Sequence, residues 1–215
     1  MKQPALRGLY CITDPVLTSQ FNGSIETMVE LAILGGAKII QYRDKTASAD
    51  NRLKTACSLA QLCHGHDVLF LVNDDPQLAL ESNADGVHVG QDDAALSAAR
   101  SILDPEKIIG VTCHNQIELA HKAEASGADY VAFGRFFPSR TKPEAPEASN
   151  AVLTQLDQLS IPVAAIGGIQ ASNAIPLIQA GIQMLAVIHA VFGQADIRAA
   201  AQQLSDLFDN QNKDT

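Results

Sequence analysis

Gly35-Gly36-Ala37-Lys38-Ile39-Ile40-Gln41-Tyr42-Arg43-Asp44-Lys45 is the stretch on which the fold turns. A glycine pair closes a helix, because glycine accepts the left-handed conformation in which helices commonly end. A short apolar run then breaks into charge. The next such run, Val68-Leu69-Phe70-Leu71-Val72, breaks into Asn73-Asp74-Asp75. A buried strand that ends abruptly in charge, just before a helix, is where an α/β protein places its chemistry. Cations suit a phosphate and carboxylates suit Mg²⁺, so the two strand ends together point to a metal-bound pyrophosphate.

Working outward, eight β-rich runs are expected at 9–13, 38–41, 68–73, 86–89, 108–112, 130–134, 163–166 and 185–188. Most are solidly apolar, as parallel strands covered on both faces are. Amphipathic stretches at 25–34, 47–63, 76–82, 94–103, 116–126, 151–159, 173–180 and 196–208 alternate with them. Leu-Gly-Gly-Ala, Ala-Ser-Gly-Ala-Asp and Gln-Ala-Gly-Ile read as echoes of one helix–loop–strand joint. Eight βα units without a linker-like shift in composition predict one domain over 1–215, a closed (β/α)₈ TIM barrel of eight parallel strands. Its core is expected at about 8–208, with a polar tail at 209–215. An open doubly wound sheet is the runner-up. Residues 135–148 carry Pro138, Pro143 and Pro146 and no periodicity, which marks a long lid or binding loop.

The 215 residues are 47% hydrophobic and 18% charged, the balance of a globular chain, and the net charge of −9 opposes a nucleic-acid surface. Cys11, Cys57, Cys63 and Cys113 show no C-x-x-C pair or zinc spacing and read as reduced packing residues. Met1 to Tyr10 holds no apolar leader core, and no apolar run nears the roughly 18 residues of a membrane span. The expectation is a cytoplasmic protein.

In a barrel the strand C-termini converge on one face. Read across those ends, the chain offers Gln41, Arg43 and Lys45, then Asn73 and Asp74, then His88, Gln91, Asp92 and Asp93. Thr112 and His114, Ser139, Thr141 and Lys142, Gly167-Gly168 and His189 follow. Asp74 and Asp93 are the metal candidates, with Asp75 and Asp92 as helix caps. Gly167-Gly168, ahead of a helix expected to be capped by Ser172 or Asn173, reads as a phosphate site. His88, between two valines, points into the barrel as a hydrogen-bonded core residue; His64, His66 and His121 read as unpaired surface residues. No Ser/His/Asp order or activated cysteine emerges.

These segments, in this order, resemble thiamine-phosphate synthases. The resemblance runs from Leu9-Tyr10-Cys11-Ile12-Thr13-Asp14 to Ala186-Val187-Ile188-His189. It is carried by Gln-x-Arg-x-Lys at 41–45, Asn73-Asp74-Asp75 and the run from Ala84 to Asp93. Gly110-Val111-Thr112-Cys113-His114, Phe137-Pro138-Ser139-Arg140-Thr141-Lys142 and Ala165-Ile166-Gly167-Gly168-Ile169 complete it. Any one motif could arise by chance, whereas six in order are specific.

The resemblance implies a barrel that joins hydroxymethylpyrimidine diphosphate to hydroxyethylthiazole phosphate and releases pyrophosphate dissociatively. By position, Gln41, Tyr42, Arg43, Asp44, Lys45, Asn73, Thr112 and Lys142 contact the pyrimidine diphosphate, and Arg43, Lys45, Lys142 and Thr112 are its catalytic set. Ser139, Arg140, Thr141, Gly168, Ile188 and His189 hold the thiazole phosphate. Asp74 and Asp93 hold one Mg²⁺ per subunit. The partners implied are two small phosphorylated substrates, with no nucleic acid or membrane; a homo-oligomer is left open. The chain departs from the family where it carries Gly134-Arg135 for Gly-Pro, Ser139 for Thr, and Thr112 and His189 for Ser. A thiazole tautomerase-like isomerase and a non-catalytic barrel that binds thiamine precursors are the alternatives. Neither needs a pyrophosphate cradle, so Arg43, Lys45, Asp74 and Asp93 discriminate against both.

Overall fold

Helix α2 (Ile25–Leu34) ends in a joint that recurs around the molecule. Gly36 is left-handed, its N–H bonds the carbonyl of Ile33, and the N–H of Ala37 reaches back to Ala32. The same pair of bonds, around a left-handed residue, closes α3 (Ala49–Gly65) at Asp67, α4 (Pro76–Glu81) at Asn83, α6 (Ile117–Ala125) at Gly127 and α8 (Ile175–Gln179) at Gly181. This is the Schellman arrangement, which satisfies orphan carbonyls and turns the chain directly into the next strand. The echoed phrases in the sequence are therefore one structural device. Two of its left-handed positions are Asn or Asp, residue types that tolerate that conformation.

The computed structural model describes residues 6–91, 93–138 and 150–210; of Asp93, Asn150 and Asn210 only the backbone belongs to the description. The strands are β1 (Gly8–Ile12), β2 (Ile39–Tyr42), β3 (Leu69–Asn73), β4 (Gly86–Val89), β5 (Ile108–His114), β6 (Tyr130–Phe133), β7 (Val163–Ile166) and β8 (Met184–Val187). All pair in parallel with their sequence neighbours, and β1 pairs with β8, so the sheet closes as a barrel of eight strands. The predicted TIM barrel is what forms. The remaining helices are α1 (Pro15–Gln20), α5 (Asp93–Ile102), α7 (Asn150–Leu153), α9 (His189–Phe192) and α10 (Ile197–Asn210). The expected helix at 151–159 is α7 followed by a 3₁₀ turn, Leu156–Gln158. α1 and α9 were not anticipated, although Asp14-Pro15 carries the signal for α1: Asp14 accepts from the N–H groups of Val16 and Leu17 ahead of a proline at the first helical position.

Alternation along the strands sorts two cores. Leu9, Ile40, Phe70, Val87, Ile109, Val131, Ala165 and Leu185 face the helices, and Tyr10, Ile39, Leu71, Ile108, Tyr130, Ala164 and Met184 fill the barrel. At its base, the residue before each of three even-numbered strands takes a backbone proton from the preceding strand. Asp85 Oδ2 accepts from Phe70 N–H, Asp129 Oδ2 from Ile109 N–H and Gln183 Oε1 from Val163 N–H, each at 2.8 Å. Arg100 Nη2 also donates to Asp129 at 2.8 Å. Asp129→Ala leaves the Ile109 amide without that acceptor, so unfolding in urea should show a loss of about 1–3 kcal/mol. Turnover should be unchanged, because the site lies at the other end of the barrel.

Candidate active site

β2 and β3 run side by side, pairing Gln41 with Leu71 and Tyr42 with Val72, so their charged ends meet. Lys45 Nζ donates to Asp74 Oδ2 at 2.8 Å, both side chains about half exposed. Asp74 is left-handed, with φ 61°, and its N–H bonds the carbonyl of His88. A non-glycine residue held there is the kind of local strain that gathers at functional positions. Burial works to raise the Asp74 pKa, yet hydrogen bonding and attraction from Lys45, with help from Asn73 and His88, bring it below the usual carboxylate value. Asp74 is thus held as a carboxylate against Lys45.

Arg43 is more enclosed. Its guanidinium lies 3.8 Å from Asp14, and Thr13 Oγ1 accepts from its backbone N–H. Asp44 takes three bonds, from the N–H and hydroxyl of Thr46 and the N–H of Ala47, which tie the turn into α3. Burial alone would raise its pKa; those bonds and Arg52 lower it. Tyr42 packs in the helix-facing layer, outside the barrel. It still lines, with Asp44, Lys45, Asn73, Asp74 and Asp75, a cleft of about 310 Å³ at this end of the molecule. Arg52, on α3, reaches the same cleft and binds Asp75 at 2.7 Å. It lies inside the amphipathic stretch 47–63 and was not among the residues read from the strand ends. Asp75 is a helix cap, as expected, its Oδ1 accepting from Leu78 N–H.

Gln41 and Thr112 sit deeper, at opposite ends of a polar chain inside the barrel. Gln41 Nε2 donates to Tyr10 Oη, the Tyr10 and Tyr130 hydroxyls are 2.9 Å apart, and Tyr130 Oη is 2.8 Å from His88 Nδ1. His88 Nε2 is 2.9 Å from Thr112 Oγ1. β5 shifts register between Thr112 and His114, an irregularity of the kind that re-aims a side chain beside a site. Of the remaining histidines, His64 meets Asp85 at 3.2 Å, His66 meets Glu30 at 3.8 Å and His121 meets Gln158 at 3.4 Å, so none is unpaired. Burial, with Asp85 adding for Cys63, pushes the thiols of Cys63 and Cys113 up to about 12. Neither supplies a thiolate.

Across the rim, Gly167 and Gly168 have φ of +100° and +65°. A Cβ on Gly168 would stand 2.4 Å from the Pro138 carbonyl, and one on Gly167 would stand 2.2 Å from Arg135 Cβ. The pair admits the segment leaving β6, whose Phe136 and Phe137 amides bond Ile166 and Gly167. α8 begins at Ile175 with no side-chain cap, contrary to expectation. Asn173 instead spans the loop, accepting from Gln170 N–H and donating to the Gly168 carbonyl. Ile188 precedes α9, and the His189 ring lies against Gly193. Ser139, Arg140, Thr141 and Lys142 lie outside the described residues, as do Asp92 and the Asp93 side chain. Among the described residues no three acidic, histidine or cysteine groups gather into a metal cage. A hard carboxylate at a cationic rim fits a Mg²⁺ whose shell is completed by substrate phosphate and water.

The family model described as thiamine monophosphate synthase matches residues 9–191. The chain belongs to the thiamine monophosphate synthase family. It is 55% identical over 207 residues to the thiamine-phosphate synthase of Alcanivorax borkumensis, covering 94% of each chain. It is 49% identical to the thiamine-phosphate synthase of Marinobacter nauticus, over 94% of this chain and 90% of that one. Among solved structures, a thiamine phosphate pyrophosphorylase from Pyrococcus furiosus superposes with a TM-score of 0.85 at 35% identity, covering 94% and 96% of the two chains. A 3-hexulose-6-phosphate synthase at 21% identity and TM-score 0.64 shares the fold alone. Among the described residues of this family member, no helix is long and apolar enough to cross a membrane.

Proposed function

We propose that this protein condenses 4-amino-2-methyl-5-(diphosphooxymethyl)pyrimidine with 4-methyl-5-(2-phosphooxyethyl)thiazole, giving thiamine phosphate and pyrophosphate, at the C-terminal rim of the barrel. The observation that carries this reading is the Lys45–Asp74 contact at 2.8 Å, where the charged ends of β2 and β3 meet. Paired opposite charges suit a leaving diphosphate better than a retained handle.

The bond from the pyrimidine methylene to the diphosphate oxygen breaks, and the diphosphate keeps the electron pair. The thiazole nitrogen then donates its lone pair to the methylene carbon. Neither step needs a strong base or a covalent nucleophile; both need charge stabilisation and positioning. Arg43, Lys45 and Lys142 take up the charge of the leaving group. Gln41, Tyr42, Asp44, Asn73 and Thr112 form the surround of the pyrimidine diphosphate. Asp74 and Asp93 would hold one Mg²⁺ per subunit, which supplies positive charge to the diphosphate oxygens. Ser139, Arg140, Thr141, Gly168, Ile188 and His189 orient the thiazole phosphate, His189 through a ring nitrogen where relatives use a hydroxyl. The partners are two small phosphorylated molecules in the cytoplasm; a net charge of −9 opposes a nucleic-acid role.

The test mixes both substrates with enzyme and Mg²⁺ and follows pyrophosphate and thiamine phosphate together. Both products should appear in equal amounts, cease on chelation with EDTA and return when Mg²⁺ is restored. An absence of pyrophosphate overturns the reading. Isomerisation of the thiazole substrate alone would indicate the isomerase instead.

A further inference from the structure

The chain Gln41–Tyr10–Tyr130–His88–Thr112 has a direction, and that direction follows from counting protons. Gln41 Nε2 donates to the Tyr10 oxygen, and with Tyr10 buried and the Tyr130 oxygen the acceptor within reach, the single Tyr10 proton goes to Tyr130. The single Tyr130 proton then goes to His88 Nδ1. A neutral imidazole accepting at Nδ1 carries its proton on Nε2, and that proton goes to Thr112 Oγ1. The Thr112 hydroxyl proton is then left for an acceptor other than His88. At the other end, one Nε2 hydrogen is held by Tyr10, which fixes the amide so that Gln41 offers a ligand its oxygen as an acceptor beside the second Nε2 hydrogen.

The surroundings hold this chain in place. Tyr10 and Tyr130 are essentially fully buried, and burial raises both phenol pKa values, so both remain neutral donors. The Tyr130 ring stacks on His88 with centroids 5.5 Å apart and meets Tyr10 edge-on at 6.2 Å. Gly110, on β5, clears its path: a Cβ there would stand 2.0 Å from Tyr130 Cζ.

We propose that Tyr10, Tyr130 and His88 set the hydrogen-bond polarity of the pyrimidine subsite. They present Gln41 as an acceptor and Thr112 as a donor, so the subsite selects an aminopyrimidine over its 4-oxo counterpart. This rests on the reading that Gln41 and Thr112 contact the pyrimidine. The only hydrogen-bond donor on that heterocycle is its 4-amino group, which an acceptor at Gln41 takes and a donor there would leave unpaired. The oxo analogue reverses the match. Tyr10, Tyr130 and His88 are positioning residues, acting through Gln41 and Thr112.

Two measurements test the polarity. In ¹⁵N-histidine NMR, with the His88 signals identified by their loss in His88→Gln, wild-type His88 should be unprotonated at Nδ1 and protonated at Nε2. In kinetics, wild type should prefer the amino substrate over its 4-oxo analogue by about 10²-fold or more in kcat/KM, as buried polar groups reject a mismatched partner. Tyr130→Phe keeps the stacked ring but cuts the chain. It should raise KM for the pyrimidine diphosphate, leave KM for the thiazole phosphate alone and reduce the preference by roughly tenfold. Tyr10→Phe should act likewise and serves if Tyr130→Phe fails to fold. A proton on Nδ1 in wild type, or an undiminished preference in the phenylalanine variants, overturns the proposal. Gln41→Ala separates the two layers. If it leaves KM for the pyrimidine diphosphate unchanged, the subsite reading fails and takes the polarity with it. If it raises that KM while Tyr130→Phe changes nothing, the polarity alone is wrong.

Discussion

Asp74→Ala is expected to lower kcat by about 10²-fold or more, on the scale of losing one electrostatic contact to a transition state. Asp74→Asn should do nearly the same damage. Asparagine accepts the left-handed backbone at this position and keeps the N–H bond to the His88 carbonyl, so the turn survives and only the charge is lost. If the role of Asp74 were to shape the turn, the asparagine variant would recover most of the activity. Steady-state turnover of both variants, followed over a Mg²⁺ titration, distinguishes the two. Near-normal kcat in either variant would remove Asp74 from the site. Lys142→Ala should cost a comparable factor if that residue carries leaving-group charge as proposed.

Gly110→Ala is the second change with a large expected effect, and it acts through packing. The added methyl would stand 2.0 Å from Tyr130 Cζ and 2.4 Å from its oxygen, against a ring buried at the centre of the barrel. Overpacking a closed core costs typically 1–3 kcal/mol, and a clash this close belongs at about 3 kcal/mol. Urea unfolding should show that loss. It should shrink in a Tyr130→Leu background, where the far end of the ring is gone, because two residues in contact do not contribute additively. A Gly110→Ala protein as stable as wild type would mean that Tyr130 can lie elsewhere. In that event the polar chain would not be a fixed part of the barrel.

Much of the architecture was readable in the chain because it is set by local chemistry. Helix ends are marked by residues that tolerate a left-handed backbone, and at 36, 83, 127 and 181 the chain places Gly or Asn where the structure has positive φ. The strands are continuous apolar runs whose observed limits differ from expectation by a residue or two, since fraying ends are decided by hydrogen bonding to neighbours. α9 was missed because four residues carry too little periodicity to register. The absent cap at α8 was misjudged because Asn173 had two uses available, and packing against Gly168 selected the loop.

The candidate site divides along the same line. The sequence by itself determined that charge collects at the strand ends, that Asp75 caps a helix, and which family the motifs resemble; all of these reside in stretches of a few residues. Only the tertiary structure decided which side of each strand faces the barrel. Closure placed Gln41 inside and its neighbour Tyr42 outside. It also brought together Tyr10 and Tyr130, 120 residues apart, and seated His88 between Tyr130 and Thr112. A hydrogen bond needs heavy atoms within about 3 Å and aligned. No spacing along a chain specifies that when the partners lie on strands from opposite parts of a closed sheet.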